Sequence, residues 1–338
     1  MKFLKWLGVI LLGLILIYLL LCAVGPKNMN TSVSETMEAS PAQVYNMYNN
    51  LEKWGSWSPW QLKDTTMVIE YGDKKEGKGA SYKWNGEESG EGSMEITESI
   101  KNQTMKANMY FKDWDATSFV EFNAVPSGSN TVVTWSMEDA EDLPFLARGG
   151  MLISMQKSGI KNDFEEGLQN LKKIVEQRAK GIYNGYKINP IVLEEQHYIM
   201  NRQMVAMANV QQFYATNLGA LFQKAQKSEV EMDGKPCGLF FKWDESSNKT
   251  DMAAAIPVAN PVNIMGATSW TIPAGNGLQI DYYGNFENSV KPHNAMADYL
   301  KDYGLLNNPP VVEEYVTDPS EEEDPTKWLT KITYFLAQ

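Results

Sequence analysis

SPAQVYNMYNNLEKWGSWSPW, residues 40–60, is the stretch from which the first half of the chain can be read. Ser40 is a good helix N-cap, because its hydroxyl can accept a hydrogen bond from a first-turn N–H. Pro41 suits the first helical position, where an N–H would lack a partner anyway, so a short helix is predicted over 42–48. Trp54, Trp57 and Trp60 follow in a loop punctuated by Gly, Ser and Pro. Upstream, 31–39 reads as a strand. Downstream, between Met67 and Glu138, the runs MVIEY, ASYKW, GSMEITESI, TMKANMYF, TSFVEF and TVVTWSM alternate or carry β-branched and aromatic residues, with turn signals at Asn85-Gly86 and Pro126-Ser127-Gly128-Ser129. From about 150 to 180 the period changes. Met151, Met155, Phe164, Leu168, Leu171 and Val175 predict one long amphipathic helix. A strand, a short helix, about six antiparallel strands and a long closing helix make an α+β helix-grip layout.

The same opening motif resembles the SRPBCC family, the START and polyketide-cyclase-like superfamily, over 29–180. The resemblance implies an apolar cavity between sheet and long helix that accepts lipids, polyketides or other hydrophobic molecules, and it implies no particular reaction. Trp57 and Trp60 are candidates to line that cavity; packing of the loop against the sheet is the other reading of Trp54, Trp57 and Trp60. Glu87, Glu88, Glu91, Glu95 and Glu98 read as a solvated hairpin, since no apolar pocket is evident beside them to perturb a carboxyl.

Before this domain, residues 6–24, WLGVILLGLILIYLLLCAV, carry no charge and are long enough to cross a bilayer core. Lys2 and Lys5 precede the run, so residues 1–28 are predicted to be a single-pass anchor with a cytoplasmic N-terminus. The bacterial inner membrane, with the soluble domains in the periplasm, is the expected location. A cleaved signal peptide is the rival reading, but the apolar run is long for one and no small-residue cleavage site follows. Lipidation at Cys22 is disfavoured by Leu21, where a lipobox needs a small side chain.

Gly181, Gly185 and Pro190 mark a boundary, and 186–338 reads as two similar β-α-β-β units. In the first, 195–208 is a strand, 209–226 a helix, and 237–243 with 251–257 a strand pair. In the second, the corresponding ranges are 277–283, 291–303, 311–316 and 328–335. The duplication predicts a groove between the two helices.

The segments GKPCGLFFKWD, IDYYGNFENSVKPHNAMADYLKDYG, VVEEYVTDP and KITYFLA, in that order, resemble the GyrI-like effector-binding domain of AraC-type and MerR-type regulators. That resemblance implies a pocket in which Glu313 and Tyr315, one strand period apart, face a cationic or aromatic ligand; a register slip would substitute Glu314. Tyr282, Tyr283, Trp270 and Phe241 are candidate rings for the pocket, each with core packing as its alternative. His293 is expected near a helix start and facing solvent, and His197 at a strand start without a catalytic partner.

A net charge of −12 argues against a nucleic-acid partner, and no helix-turn-helix is apparent. Two cysteines and two histidines, without metal-ligand spacing, give no disulfide framework and no metal cluster. Nothing in the sequence asks for a cofactor. The leading expectation is a membrane-anchored protein that binds or senses apolar or cationic aromatic small molecules. The alternatives are a hydrolase or cyclase using Glu313 and Tyr315 as acid and base, and a structural protein of the cell envelope.

Overall fold

The structure, a computed structural model, describes residues 2–154, 156–244 and 246–337. Its internal contacts divide the chain into two units, Met1–Lys180 and Gly181–Gln338, both α+β with antiparallel sheets.

The first unit opens with α1 (Lys2–Val24), whose apolar side chains are almost all exposed. It is the one helix among the described residues long and apolar enough to cross a membrane, a test that a signal sequence also passes. β1 (Thr31–Met37) then leads into α2 (Pro41–Tyr48). Ser40 caps α2 reciprocally: its hydroxyl accepts from the Gln43 N–H at 3.4 Å, and the Ser40 N–H donates to Gln43 Oε1 at 3.0 Å. A 3-10 turn and α3 (Pro59–Lys63) carry the tryptophans. The meander β2 (Val68–Tyr71), β3 (Ser81–Gly86), β4 (Gly90–Ile100), β5 (Thr104–Phe111), β6 (Ala116–Ser127) and β7 (Asn130–Asp139) returns to β1, giving the order β1-β7-β6-β5-β4-β3-β2. Met105, Ala107 and Met109 on β5 face the core with Val120, Phe122 and Ala124 on β6 and Val133, Trp135 and Met137 on β7, as the two-residue period requires.

Two helices follow, α4 (Phe145–Ser154) and α5 (Gln156–Ala179), where the periodicity predicted one from about 150. Phe164, Leu168, Leu171 and Val175 form a single fully buried stripe on α5 against the sheet. Met151 belongs to α4, which packs on α1 instead. Met155 lies outside the described residues.

In the second unit, a small ribbon β8 (Ile182–Tyr183) and β9 (Tyr186–Lys187) precedes edge strand β10 (Asn189–Leu193). The first repeat is β11 (Gln196–Ala206), α6 (Val210–Lys227), β12 (Cys237–Asp244) and β13 (Lys249–Val258). After β14 (Thr268–Ile272), the second is β15 (Gly275–Tyr283), α7 (Val290–Tyr303), β16 (Val311–Tyr315) and β17 (Leu329–Phe335). One eight-stranded sheet joins them in the order β10-β15-β17-β16-β12-β13-β11-β14. The order is symmetric about the β16-β12 seam, where Gly238 sits opposite Glu313. Burial divides the sheet faces cleanly. Phe240, Met252, Ile280, Tyr282, Val311 and Tyr334 pack on the helix side, whereas Tyr198, Leu239, Val312 and Phe335 cluster on the other.

Candidate ligand-binding site

At the seam of the duplicated sheet, β16 points Glu313 and Tyr315 to the helix side and Glu314 to the opposite face. Glu313 is only 5% exposed. A carboxylate so far from water needs partners, and two contacts supply them. His293, on the first turn of α7, brings Nε2 within 2.7 Å of Glu313 Oε1, and the Tyr315 hydroxyl donates to Oε2 at a longer 3.3 Å. His293 Nδ1 lies 2.8 Å from the Tyr334 hydroxyl. An ionised carboxylate can only accept, so Nε2 donates to Oε1, and Nδ1 shares a hydrogen bond with the Tyr334 hydroxyl, which leaves both ring nitrogens partnered. His293 is thus turned inward, contrary to the solvent-facing position expected from sequence.

Rings surround this carboxylate. Tyr315 meets Tyr214 of α6 edge-on at 5.4 Å and Phe286 at 5.3 Å, and Phe286 stacks on Trp328 at 5.1 Å. On the imidazole side, Trp243 lies 5.4 Å from His293 and stacks on Phe240 at 5.3 Å. Glycine at 238 makes the close approach possible: a Cβ there would collide with the Tyr214 hydroxyl. That hydroxyl is buried without a well-formed hydrogen bond. Burial, and secondarily the charge of Glu313 for Tyr214, that charge after Tyr214's own for Tyr315, push both phenols well above the ordinary tyrosine range. They stay neutral donors and cannot serve as nucleophiles. Oε2, with one long hydrogen bond and a flank of rings, keeps acceptor capacity for a cation.

The structure brings Glu313 and Tyr315 together, with Tyr282 on the same sheet face, but not Tyr283, Phe241 or Trp270. Tyr283 is 61% exposed on the outer face, and Tyr282 takes the buried position beside it. Phe241 and Trp270 meet each other at 5.4 Å on the outer face, and Phe241 carries the Arg202 guanidinium 3.6 Å from its ring centroid. Phe241 alternates with Phe240, which faces the helices, and so shares the outer face with Leu239; a bulge between Phe240 and Lys242 then returns Trp243 to the helix side. The outer face also has a cleft of about 190 Å³ bordered by Glu195, His197, Asp233, Cys237 and Glu314. His197 there pairs with Thr271 at 2.9 Å. Its acids are largely hydrated, so a bound cation would gain little from them, whereas Glu313 is desolvated already.

In the first unit, Trp54, Trp57 and Trp135 are fully buried and interlock with Phe122 and Phe164; Trp135 stacks on Phe164 at 4.0 Å. Trp60 is half-buried and donates to Asp163 Oδ2 at 3.1 Å. Residues 38–176, about two-fifths of the chain, match the family described as Activator of Hsp90 ATPase homolog 1-like protein. The first unit contains an AHSA1-like domain. No curated protein matches the chain. Among solved structures, the EcmrR C-terminal domain is similar at 14% identity over 45% of this chain and 98% of its own, with TM-score 0.40. The Aha1 dimer from Colwellia psychrerythraea is 15% identical over 44% and 96%, TM-score 0.33, and a hydrolase from Listeria innocua 15% over 44% and 91%, also 0.33.

The AHSA1-like domain has a ligand-binding fold, which supports a small-molecule-binding role. Around Trp57 and Trp135, however, the space between sheet and α5 is occupied by the domain's own rings, so Trp57 packs the core and Trp60 ties α3 to α5. The acidic hairpin of the AHSA1-like domain is solvated: Glu87 and Glu88 are exposed, and Glu91 pairs with Lys112 at 2.7 Å.

Proposed function

We propose that the chain is a membrane-anchored small-molecule-binding protein, with an anchor over 1–28, an SRPBCC-like domain over 29–180 and a GyrI-like effector-binding domain over 186–338 whose pocket takes an aromatic cation at Glu313. The observation that carries this reading is a buried carboxylate, hydrogen-bonded on one oxygen to the His293 imidazole and flanked on the other by Tyr315, Tyr214 and Phe286. A cation there neutralises a desolvated charge, and the rings supply apolar area and cation-π attraction of roughly 0.5–2 kcal/mol each way. The rings close over Glu313, so a ligand enters by moving Tyr214 or Tyr315 aside. The exposed apolar surface of α1 supports the anchor. Sensing in the envelope is the biological role this arrangement suggests.

The test is a titration of the purified full chain in detergent with tetraphenylphosphonium, followed through tryptophan fluorescence, since Trp243 and Trp328 border the site. Saturable quenching that a second aromatic cation displaces is the expected result. No saturable change with any of a panel of aromatic cations would remove the reading.

A further inference from the structure

α4 has no ordinary place in a soluble domain. Ten residues, FLARGGMLIS, are too few to span a bilayer, and apolar helices of that length are usually buried or interfacial. This one is not buried: Leu146 and Ile153 are 61% and 62% exposed, and Phe145 and Leu152 are also exposed. The two pairs are each seven residues apart, so all four lie on one broad stripe of the helix. Gly149, the one buried residue of α4, lies within that stripe and touches α1.

The contacts fix the level at which α4 sits. The Leu143 N–H donates to the Lys27 carbonyl at 2.7 Å, just beyond the end of α1. One turn further, the Leu146 carbonyl accepts from the Tyr18 hydroxyl at 2.8 Å and from the Cys22 thiol at 3.6 Å. A Cβ on Gly149 would meet Cys22 Sγ at 2.7 Å, and one on Gly25 would meet the Arg148 carbonyl at 2.5 Å, so small residues let the two backbones touch. From Leu143 to Gly149 the chain therefore passes from the level of Lys27 back to that of Tyr18 and Cys22. Tyr18 lies six residues inside Val24, or roughly 9 Å along the helix axis.

We propose that α4 is embedded in the bilayer beside α1, with Phe145, Leu146, Leu152 and Ile153 in contact with lipid acyl chains at the headgroup boundary. The proposal rests on the anchor reading of α1. If α1 spans, a helix packed on its last two turns is at membrane depth, and roughly 9 Å is the depth to which interfacial helices insert. The four exposed apolar side chains are then solvated by lipid, and the domain is fixed close to the membrane surface by two attachments instead of one flexible tether.

The test places a photoreactive benzophenone side chain, in separate full-length chains, at Ile153, Leu152, Leu12 and Ser129, reconstituted in vesicles of phosphatidylethanolamine and phosphatidylglycerol. Ser129 is exposed at the β6–β7 turn, and Leu12 is in the middle of α1. After irradiation, lipid adducts are counted by mass spectrometry. Adducts at 153 and 152 within about twofold of those at 12, and at least about tenfold above those at 129, are expected for an interfacial helix. Adducts at 12 with only background at both 152 and 153 would overturn the α4 proposal and leave the anchor standing. Background at 12 as well would overturn the anchor, and α4 with it.

Discussion

Replacing Glu313 by Gln separates charge from shape at the site. Gln is isosteric, its Oε1 can still accept from His293 Nε2, and the ring set is untouched, so the fold should be preserved. What is lost is the attraction between a carboxylate and the ligand's positive charge, about 4 kcal/mol for unit charges 4 Å apart at an effective dielectric near 20. Desolvating the ligand cancels part of it; Glu313 itself is already buried, so its own desolvation adds little on binding. A net loss of about 2–3 kcal/mol remains, or roughly 30- to 150-fold in Kd. Calorimetry or fluorescence titration with tetraphenylphosphonium measures it. A neutral ligand of similar ring area, sharing only the stacking surfaces, should change less than about twofold, since stacking does not depend on the charge. The reasoning is refuted if the cation loses less than about threefold in Glu313→Gln, or if the neutral ligand loses as much as the cation.

Phe241→Leu should leave cation affinity unchanged in the same titration, because Phe241 packs on the outer sheet face; an effect comparable to Glu313→Gln would mean that the ligand sits on that face. Gly238→Ala should lower thermal stability by about 1–3 kcal/mol through its clash with Tyr214, and Tyr214→Phe in the same chain should recover part of it, since the hydroxyl is gone but the ring carbon Cζ still lies within 2.8 Å of the new methyl. Trp135→Ala, deleting the ring stacked between Phe122 and Phe164, should cost about 3–5 kcal/mol in chemical unfolding. Asp64 accepts from the Thr66 hydroxyl and from the Glu88 and Ser89 N–H groups, with the Thr66 bond first in holding its carboxyl down to about 2. Because the folded value is depressed, its stabilisation is present above the unfolded value near 4 and fades as pH falls toward 2. The stability gap between wild type and Asp64→Asn should therefore be constant above pH ~5 and shrink steadily in acid unfolding below pH ~4, and a gap independent of pH would contradict that assignment.

Local signals with a strong physical rule behind them were legible in the sequence. The Ser40-Pro41 start of α2, the α5 stripe from Phe164 to Val175 and both β-α-β-β repeats follow from caps and periods alone, and the two-residue period placed Glu313 with Tyr315. The ring assignments depended on faces instead. Phe241 and Tyr283 each alternate with a helix-side neighbour, Phe240 and Tyr282, and which member of each pair faces the site could not be told without knowing which side the helices cover. His293 had a usable signal: it precedes Met296 by three and Leu300 by seven, on the core stripe of α7. A polar residue on an apolar stripe reads as an end effect near a helix start, and its partner Glu313 is twenty residues away. The separate α4 was invisible because its apolar residues continue the composition of a long helix while serving a different neighbour.

The edge strands of the duplicated sheet are exchanged. β10 precedes the first repeat in the chain yet zips onto β15 of the second, and β14 precedes the second yet zips onto β11 of the first. Each repeat is therefore completed by a strand that belongs to the other, like two hands gripping opposite wrists. A gene cut between them would yield two products with a raw edge apiece, prone to stick to whatever strand they meet. In the intact chain, the halves cannot drift apart at the Glu313 seam unless one of those outer strands is peeled away first.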